Sequence, residues 1–339
     1  MRAAVMRAVG QLLSIEDVPV PQIGPDEVLV ETRACGICGT DLHILEGRGY
    51  VPALPHILGH EPAGVVAQVG ADVSGLQAGD RVVPHLFFSC DRCYFCRLGR
   101  HQQCLNLKGI LGVLCPGAFA EFFKAPAANL FPLPSSVPFS VGGLVADAVV
   151  TALHATKRAG IELRDSALVL GAGGVGQILI QILHAQGIPV AAIDRSEEKL
   201  RLAEKMGASL ALLADDPDIL SAVHHFSGTE GVSCVFNCVG TGSSMRLAAD
   251  CVRRCGRVVV IGEEADHISL GTTEIAQREL EIIGSRNGTR QDTVEAIRLV
   301  ASGVIKPFIA EQFPLEKIND AFDCMRKGAL ARLVIVVRE

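Results

Sequence analysis

The sequence predicts a two-domain α/β chain in which a β-rich domain is followed by a doubly wound parallel sheet. Three observations carry that prediction. Up to about residue 140 the chain reads as short β-like runs punctuated by Gly and Pro, among them EVLVETRAC, GVVAQVG, DRVVPH and AEFFKAP, the spacing of a barrel-like β domain. From about residue 143 the rhythm becomes strand, turn, helix, strand, which is how a parallel sheet with crossover helices is written. The 339 residues, 49% of them hydrophobic, are enough to fill two cores of ordinary size.

In chain order, SALVL is the first strand of the parallel sheet and VGQILIQILHAQ its first helix, followed by PVAAID, SEEKLRLAEKMG and SLALL. VSCVFNCV, GRVVVIG and ELEIIGS complete six strands, with helical stretches near residues 243–254 and 291–302. The tail KPFIAEQFPLEKINDAFDCMRKGALARLVIVV is again mixed and is expected to return to the first domain. The resulting boundaries are 1–145 with 286–339 for the β-rich domain and 146–285 for the parallel sheet. The segment GRVVVIGEEADHISLGTTEI is expected to offer an edge for pairing with a second copy.

The net charge of -6, from 31 basic and 37 acidic residues, is mild and dispersed. Nothing in it points to nucleic acid or an anionic membrane as partner. The opening stretch MRAAVMRAVGQLLSIEDVPVP resembles no signal or transit peptide, and no uninterrupted apolar run of membrane-spanning length is apparent. With 12 cysteines and no secretory signal, thiolate–metal chemistry in a reducing cytoplasm is the expectation rather than a disulfide framework.

Four of those cysteines, Cys90, Cys93, Cys96 and Cys104, fall in CDRCYFCRLGRHQQC. The spacing C-x2-C-x2-C-x7-C forces a knuckle in which the sulfurs converge, and a closed tetrahedral S4 site is what structural Zn2+ takes. The lobe is placed at residues 88–106. A second set lies elsewhere: Cys38 in CGTDLH, His60 and Glu61 in GHEPAG, and Asp147 in VGGLVADAVVTALHA. One thiolate, one imidazole and one carboxylate suit a zinc with an open fourth position. Asp147 is the most telling, because an acid amid such apolar neighbours is costly to bury without a cation. Glu61 reads equally as an exchanging fourth ligand or as half of an ion pair.

GAGGVG, residues 171–176, follows the strand SALVL and opens a helix. In that context Gly171, Gly173, Gly174, Val175 and Gly176 form a dinucleotide fingerprint, with the pyrophosphate at the helix N-terminus. Asp194 ends the next strand, where an acid accepts from the adenosine ribose and repels a 2'-phosphate. NAD is therefore expected; the neighbouring Arg195, which can serve a 2'-phosphate, keeps NADP as the second reading.

Taken in order, C-G-x-C-G-T-D-x-H at 35–43, G-H-E at 59–61, the cysteine tetrad, an acid before V-V-T-A-L-H-A, and G-A-G-G-V-G resemble the zinc-dependent medium-chain alcohol dehydrogenase family over essentially the whole length. The resemblance implies a GroES-like catalytic domain and a Rossmann domain, with the active site in the cleft between them and two zinc ions per subunit, one catalytic and one structural. It assigns Cys38, His60 and Asp147 to the catalytic zinc; the third ligand is Cys in the best-known members and Asp in a bacterial subset. It assigns Asp41 to orienting the zinc histidine, Thr40 and His43 to a proton relay, Thr151 to the nicotinamide, and Lys199 to the adenosine ribose. Arg332 matches an arginine at the pyrophosphate, with a solvated charge as the plain alternative, and Arg286 reads as a cofactor contact.

What the resemblance implies chemically is reversible oxidation of a small or medium primary or secondary alcohol to an aldehyde or ketone, with zinc as Lewis acid and an imidazole suited to proton transfer near neutrality. The pocket is expected from Leu86 and Phe87, from 109–114 with Leu114, from the loop of Arg48 and Tyr50, and from a partner subunit. The physiological alcohol is not written in these motifs. A polyol or threonine dehydrogenase of the same family is the nearest alternative. A zinc-free quinone or enone reductase and a non-enzymatic nucleotide-binding protein stand further off, because the metal ligands and the Thr40–His43 pair are intact. A homo-oligomer is expected, a tetramer ahead of a dimer.

Overall fold

A computed structural model describes residues 1–228 and 230–338. In chain order, strands β1 to β10 are Arg2–Met6, Ser14–Asp17, Glu27–Ile37, His56–Ile57, Glu61–Val69, Arg81–Pro84, Phe87–Phe88, Gly109–Ile110, Phe122–Pro126 and Leu130–Pro132. Helices α1 (Gly39–Leu45) and α2 (Tyr94–Arg97) lie among them. After them α3 (Phe139–Leu144), a π turn (Val145–Val149) and α4 (Val150–Ala159) run on as one helix. Strands β11 to β16 are Ala167–Leu170, Val190–Asp194, Leu210–Leu213, Val232–Asn237, Val252–Val260 and Glu281–Gly284. They alternate with α5 (Gly174–Ala185), α6 (Glu197–Lys205), α7 (Ile219–Ser227), α8 (Gly242–Cys251) and α9 (Thr272–Gln277). Helix α10 (Arg290–Ala301), β17 (Ile309–Pro314), α11 (Ile318–Arg326) and β18 (Arg332–Val336) finish the chain.

The chain divides into two compact units. One is Met1–Val150, Gly288–Ser302 and Phe308–Glu339; the other is Thr151–Asn287 with Gly303–Pro307. The first division thus falls at Val150/Thr151, five residues beyond the expected 145/146, inside a continuous helix.

In the first unit a sheet of seven strands runs β10-β6-β5-β3-β18-β17, with β9 also on β3. Apolar alternation buries Val28, Val30 and Ala34 of β3 and Leu333, Val334 and Ile335 of β18. The tail does return: β18 pairs antiparallel with β3, and Phe322 of α11 meets Phe119 edge-on at 6.2 Å. Two carbons-only rings in that geometry add attraction beyond the area they bury.

The second unit is one parallel sheet in the order β13-β12-β11-β14-β15-β16, the doubly wound order of dinucleotide-binding folds. All six expected strands are present. Its interior strands are covered on both faces, so β11 reads ALVL with every residue buried. Four details differ from the sequence reading. Helices α7 and α9 are additions; α7 buries only Ile219 and Val223 and α9 buries none of its residues, too little periodicity to announce either. Residues 252–254, expected to be helical, are extended, because Val252 pairs beside Val232 of β14. The segment beginning GRVVV is not an edge: β15 lies between β14 and β16, and the sheet's edges are β13 and β16.

The helix 139–159 is long and apolar enough by composition to cross a bilayer, but 72% of that window is buried inside the protein, as a core helix is.

Glycine is obligatory in the turn between β11 and α5. Gly171 has φ +90°, and a Cβ on Gly176 would lie 2.0 Å from the Gly171 carbonyl oxygen. The variant Gly176→Ala is therefore expected to lose about 1–3 kcal/mol of stability, the cost of overpacking, and to bind a dinucleotide, NADH or NADPH, more weakly. Thermal unfolding and calorimetric titration check this; wild-type values in both would refute the close-packed turn.

Candidate active site and metal centres

Strand order brings the first constellation together. Strand β3 lies between β5 and β18 and is antiparallel to both, with Gly36 opposite Glu61 and Ile37 opposite Leu333. The end of β3 therefore meets the beginnings of β5 and β18. Cys38 follows the last residue of β3, His60 precedes the first of β5, and Arg332 is the first of β18. Asp147 comes from the π turn, the kind of helix irregularity that functional sites use to re-aim a side chain. The backbones approach closely because Gly36 and Gly143 have no side chains: a Cβ at Gly36 would lie 2.2 Å from Glu61 Oε2, and one at Gly143 would lie 2.5 Å from the Glu61 carbonyl.

The ligand atoms of Cys38, His60, Glu61 and Asp147 all lie within 4.8 Å of one another. Asp147 Oδ2 is 3.4 Å from Cys38 Sγ and 3.8 Å from His60 Nε2. Arg332 is drawn into the same centre, its Nη2 2.8 Å from Glu61 Oε1 and 3.5 Å from Asp147 Oδ2. The sequence reading placed this arginine at the pyrophosphate; here its guanidinium is on the two carboxylates, a contact that only the β18–β3 pairing reveals.

Asp41 sets the frame. Its Oδ2 accepts from the Cys38 amide at 3.0 Å, and its Oδ1 accepts from the Gly59 amide at 3.1 Å and faces His60 Nδ1 at 3.0 Å. That fixes the ring with Nε2 toward the centre, as ligating imidazoles require. Burial pulls the His60 pKa down, but the charge of Asp41 and its bonds to Asp147 and Asp41 win and hold it well above the usual histidine value. Burial also raises Asp147, yet His60 and Arg332 keep its carboxyl far below the ordinary carboxylate range. Glu61 goes the other way: its complete burial outweighs Arg332 and pushes its carboxyl well up.

A divalent cation fits these residues. Neither Glu61 carboxylate oxygen has a hydrogen-bond partner of acceptable angle, although Arg332 is near. Two acids, Glu61 buried and Asp147 half-buried, and a thiol converge where the repulsion between them is unfavourable without positive charge. One sulfur, one imidazole nitrogen and carboxylate oxygens are a zinc donor set.

The second constellation is the tetrad. Cys90, Cys93, Cys96 and Cys104 have all their sulfurs within 4.8 Å of one another. Cys104 Sγ accepts from the amides of Cys90 and Asn106, each at 3.3 Å, and backbone donors of this kind stabilise a thiolate ligand. Four sulfurs and no carboxylate make a closed structural site.

In the second unit the turn 171–176 forms a cradle at the N-terminus of α5, with open space where a Cβ on Gly173 would stand. Asp194 Oδ2 accepts from the Ala172 amide at 2.8 Å and Oδ1 from the Ser196 amide at 3.0 Å. Gln177, buried in α5, donates to the Ala172 carbonyl at 3.0 Å; it was not among the expected residues. Gly174 and Val175 open α5; Lys199 is half-buried in the first turn of α6, Arg195 is exposed, Arg286 is half-buried and Thr151 is buried. Of the expected pocket residues, Leu86 and Phe87 are buried, Tyr50 is half-buried and Leu114 is exposed. Thr40 Oγ1 lies 3.9 Å from Cys38 Sγ on α1, which also carries half-buried His43.

Two outcomes follow. The substitution Asp41→Asn should lower zinc affinity at the Cys38 centre about 10–100-fold, read by competition with a chelator; a change under about twofold would mean that Asp41 does not orient His60. In the zinc-free protein His60 holds a proton that zinc must displace. Affinity there should rise with pH as the protons of His60 and Glu61, both held above their usual values, are lost, and zinc titrations at stepped pH test that sign.

A family described as alcohol dehydrogenase GroES-like domain matches residues 24–135, and one described as zinc-binding dehydrogenase matches 174–302. An alcohol dehydrogenase of Geobacillus stearothermophilus is 34% identical over 338 residues, 99% of each chain. An L-threonine 3-dehydrogenase of Bacillus velezensis is 30% identical over 95% of each. A zinc-binding dehydrogenase of Sinorhizobium meliloti, solved bound to NADP, superposes with a TM-score of 0.91 at 29% identity over 99% of both chains. The strand order, the two metal-fitting clusters and these similarities together make the chain a member of the zinc-type medium-chain alcohol dehydrogenase family, an oxidoreductase lineage.

Proposed function

We propose that this protein is an NAD-dependent zinc alcohol dehydrogenase, reversibly oxidising a small or medium primary or secondary alcohol to the aldehyde or ketone. The observation that carries the reading is the convergence of Cys38, His60, Glu61 and Asp147 at one end of the β5-β3-β18 sheet, next to Thr40. Cys38, His60 and Asp147 hold the catalytic zinc, and Glu61 is its exchanging fourth ligand. Once bound there, zinc would supply Lewis-acid polarisation of the substrate oxygen and a nicotinamide cofactor would supply the hydride acceptor or donor.

The chain's own residues do the rest. Asp41 keeps His60 in one tautomer. Thr40 accepts the substrate hydroxyl proton and His43 passes it to solvent, reversing both roles in carbonyl reduction. Leu86 and Phe87 give the pocket an apolar wall, which suits an aliphatic group and excludes water. Thr151, Lys199, Arg286 and the 171–176 turn bind the cofactor, and Arg332 counters Glu61. Asp194 favours NAD, since its carboxylate would repel a 2'-phosphate; NADP is the second reading, supported by exposed Arg195 and by the NADP found in the Sinorhizobium relative. We place the protein in the cytoplasm as a homo-oligomer. The similarity to a threonine dehydrogenase supports a polyhydroxy or amino alcohol as the alternative substrate.

The deciding measurement is NADH and NADPH formation across linear, secondary, aromatic and polyhydroxy alcohols, with zinc content measured in parallel. Simple alcohols with NAD should lead; a preference of about 20-fold for NADP, or some 1.8 kcal/mol, would overturn the cofactor assignment. Thr40→Val should lower kcat about 100-fold or more, the contribution of general acid–base catalysis, with two zincs still bound. Near-normal turnover would refute the relay.

A further inference from the structure

Beside the cysteine lobe lies a buried polar joint whose side chains are ligands in neither metal-fitting cluster. Asn129 is 1% exposed and every one of its side-chain hydrogen-bonding groups is committed. Its Nδ2 donates to the carbonyls of His85 at 2.8 Å and Phe87 at 2.9 Å, and its Oδ1 accepts from Arg290 Nη2 at 3.0 Å. The assignment of oxygen and nitrogen is dictated by that network, since two carbonyls face one end and a guanidinium the other. The backbone adds a fourth tie, the His85 amide donating to the Asn129 carbonyl at 2.7 Å.

Arg290 reaches further. Its Nη1 is 2.9 Å from Asp91 Oδ1, and Nη2 also lies 3.3 Å from Ser89 Oγ. Ser89 in turn donates to Asp91 at 2.6 Å, where Asp91 takes a left-handed φ of 57° as the chain turns into the cysteine lobe. Arg290 is the first residue of α10, just after the chain re-enters the first unit at Gly288. A planar guanidinium with a fixed fork of donors can hold two partners at a set separation, which an ammonium cannot.

We propose that Arg290 is a positioning residue. Through Asn129 it sets the segment His85–Phe87, which carries the pocket wall, and through Ser89 and Asp91 it anchors the mouth of the four-cysteine lobe. Pocket shape and zinc retention in the lobe are thereby governed from one guanidinium. The pocket half of the proposal rests on the reading of Leu86 and Phe87 under the proposed function; the lobe half does not.

The test uses the zinc-loaded enzyme and three variants, Arg290→Met, Arg290→Lys and Asn129→Ala. Zinc release to 4-(2-pyridylazo)resorcinol should be biphasic, the slower equivalent coming from the lobe. In Arg290→Met that slow phase should quicken about tenfold, as expected for losing hydrogen bonds to a charged group. KM for longer alcohols should rise severalfold while kcat on the smallest substrate changes less than about twofold, the signature of lost binding rather than lost chemistry. Asn129→Ala should reproduce the KM change and leave slow zinc release at the wild-type rate, because Arg290 still holds Asp91. Arg290→Lys keeps the charge near Asp91 and loses the fork, so it should repeat the KM change without a deletion in the core. Unchanged slow release in Arg290→Met overturns the proposal. Faster release with unmoved KM values in all three variants overturns it as well, and then the failing part is the placement of Leu86 and Phe87 at the substrate.

Discussion

The antiparallel pairing of β3 with β5 on one side and β18 on the other is the constraint from which the metal centre follows. Three strand ends meet at one place because the register puts Gly36 opposite Glu61 and Ile37 opposite Leu333. A slip of one residue in either pair would turn the alternate faces over and separate Cys38 from His60 or Arg332 from Glu61. The hydrophobic residues that fix this register, Val28, Val30 and Ala34 on β3 and Val334 on β18, are buried and hold the site in place through packing. Core packing and metal geometry are here one problem.

Electrostatics supply the second layer. Glu61, Asp147 and Cys38 crowd one small volume with Arg332 as the resident cation. A guanidinium cannot give up its charge, so the cluster carries a permanent counterion whatever else is bound. That Arg332 approaches Glu61 without a well-angled hydrogen bond leaves both carboxylate oxygens available to a metal. The two acids are displaced in opposite directions, Asp147 down by His60 and Arg332 and Glu61 up by its complete burial.

Much of this was legible in the sequence where the signal is local. The tetrad's spacing, the glycines of 171–176 and the acid at 147 amid apolar neighbours each announce their chemistry locally, and the six parallel strands read directly from short apolar runs. What was not legible depends on distant pairing. Arg332 sits 185 positions from Asp147, and nothing near it shows that β18 will lie against β3. The same holds for Asn129 and Arg290, 161 positions apart. The misplaced sheet edge has a like cause: GRVVV and the shorter strand EIIG are equally apolar, and only the strand order tells which lies outside. The helical reading of 252–254 yielded to a tertiary contact, Val252 against Val232, as local propensity generally does.

The π turn at 145–149 has a further implication. An α-helix advances about 100° per residue, so its side chains keep an angular phase set by every residue before them. Because Asp147 lies within a widened turn that is continuous with α3 and α4, adding or removing one residue anywhere between Phe139 and Asp147 would rotate the carboxylate by roughly a quarter turn or more away from Cys38 and His60. Surface loops absorb changes in length at little cost; this helix cannot. Its residue count, as much as its residue identity, is part of the chemistry.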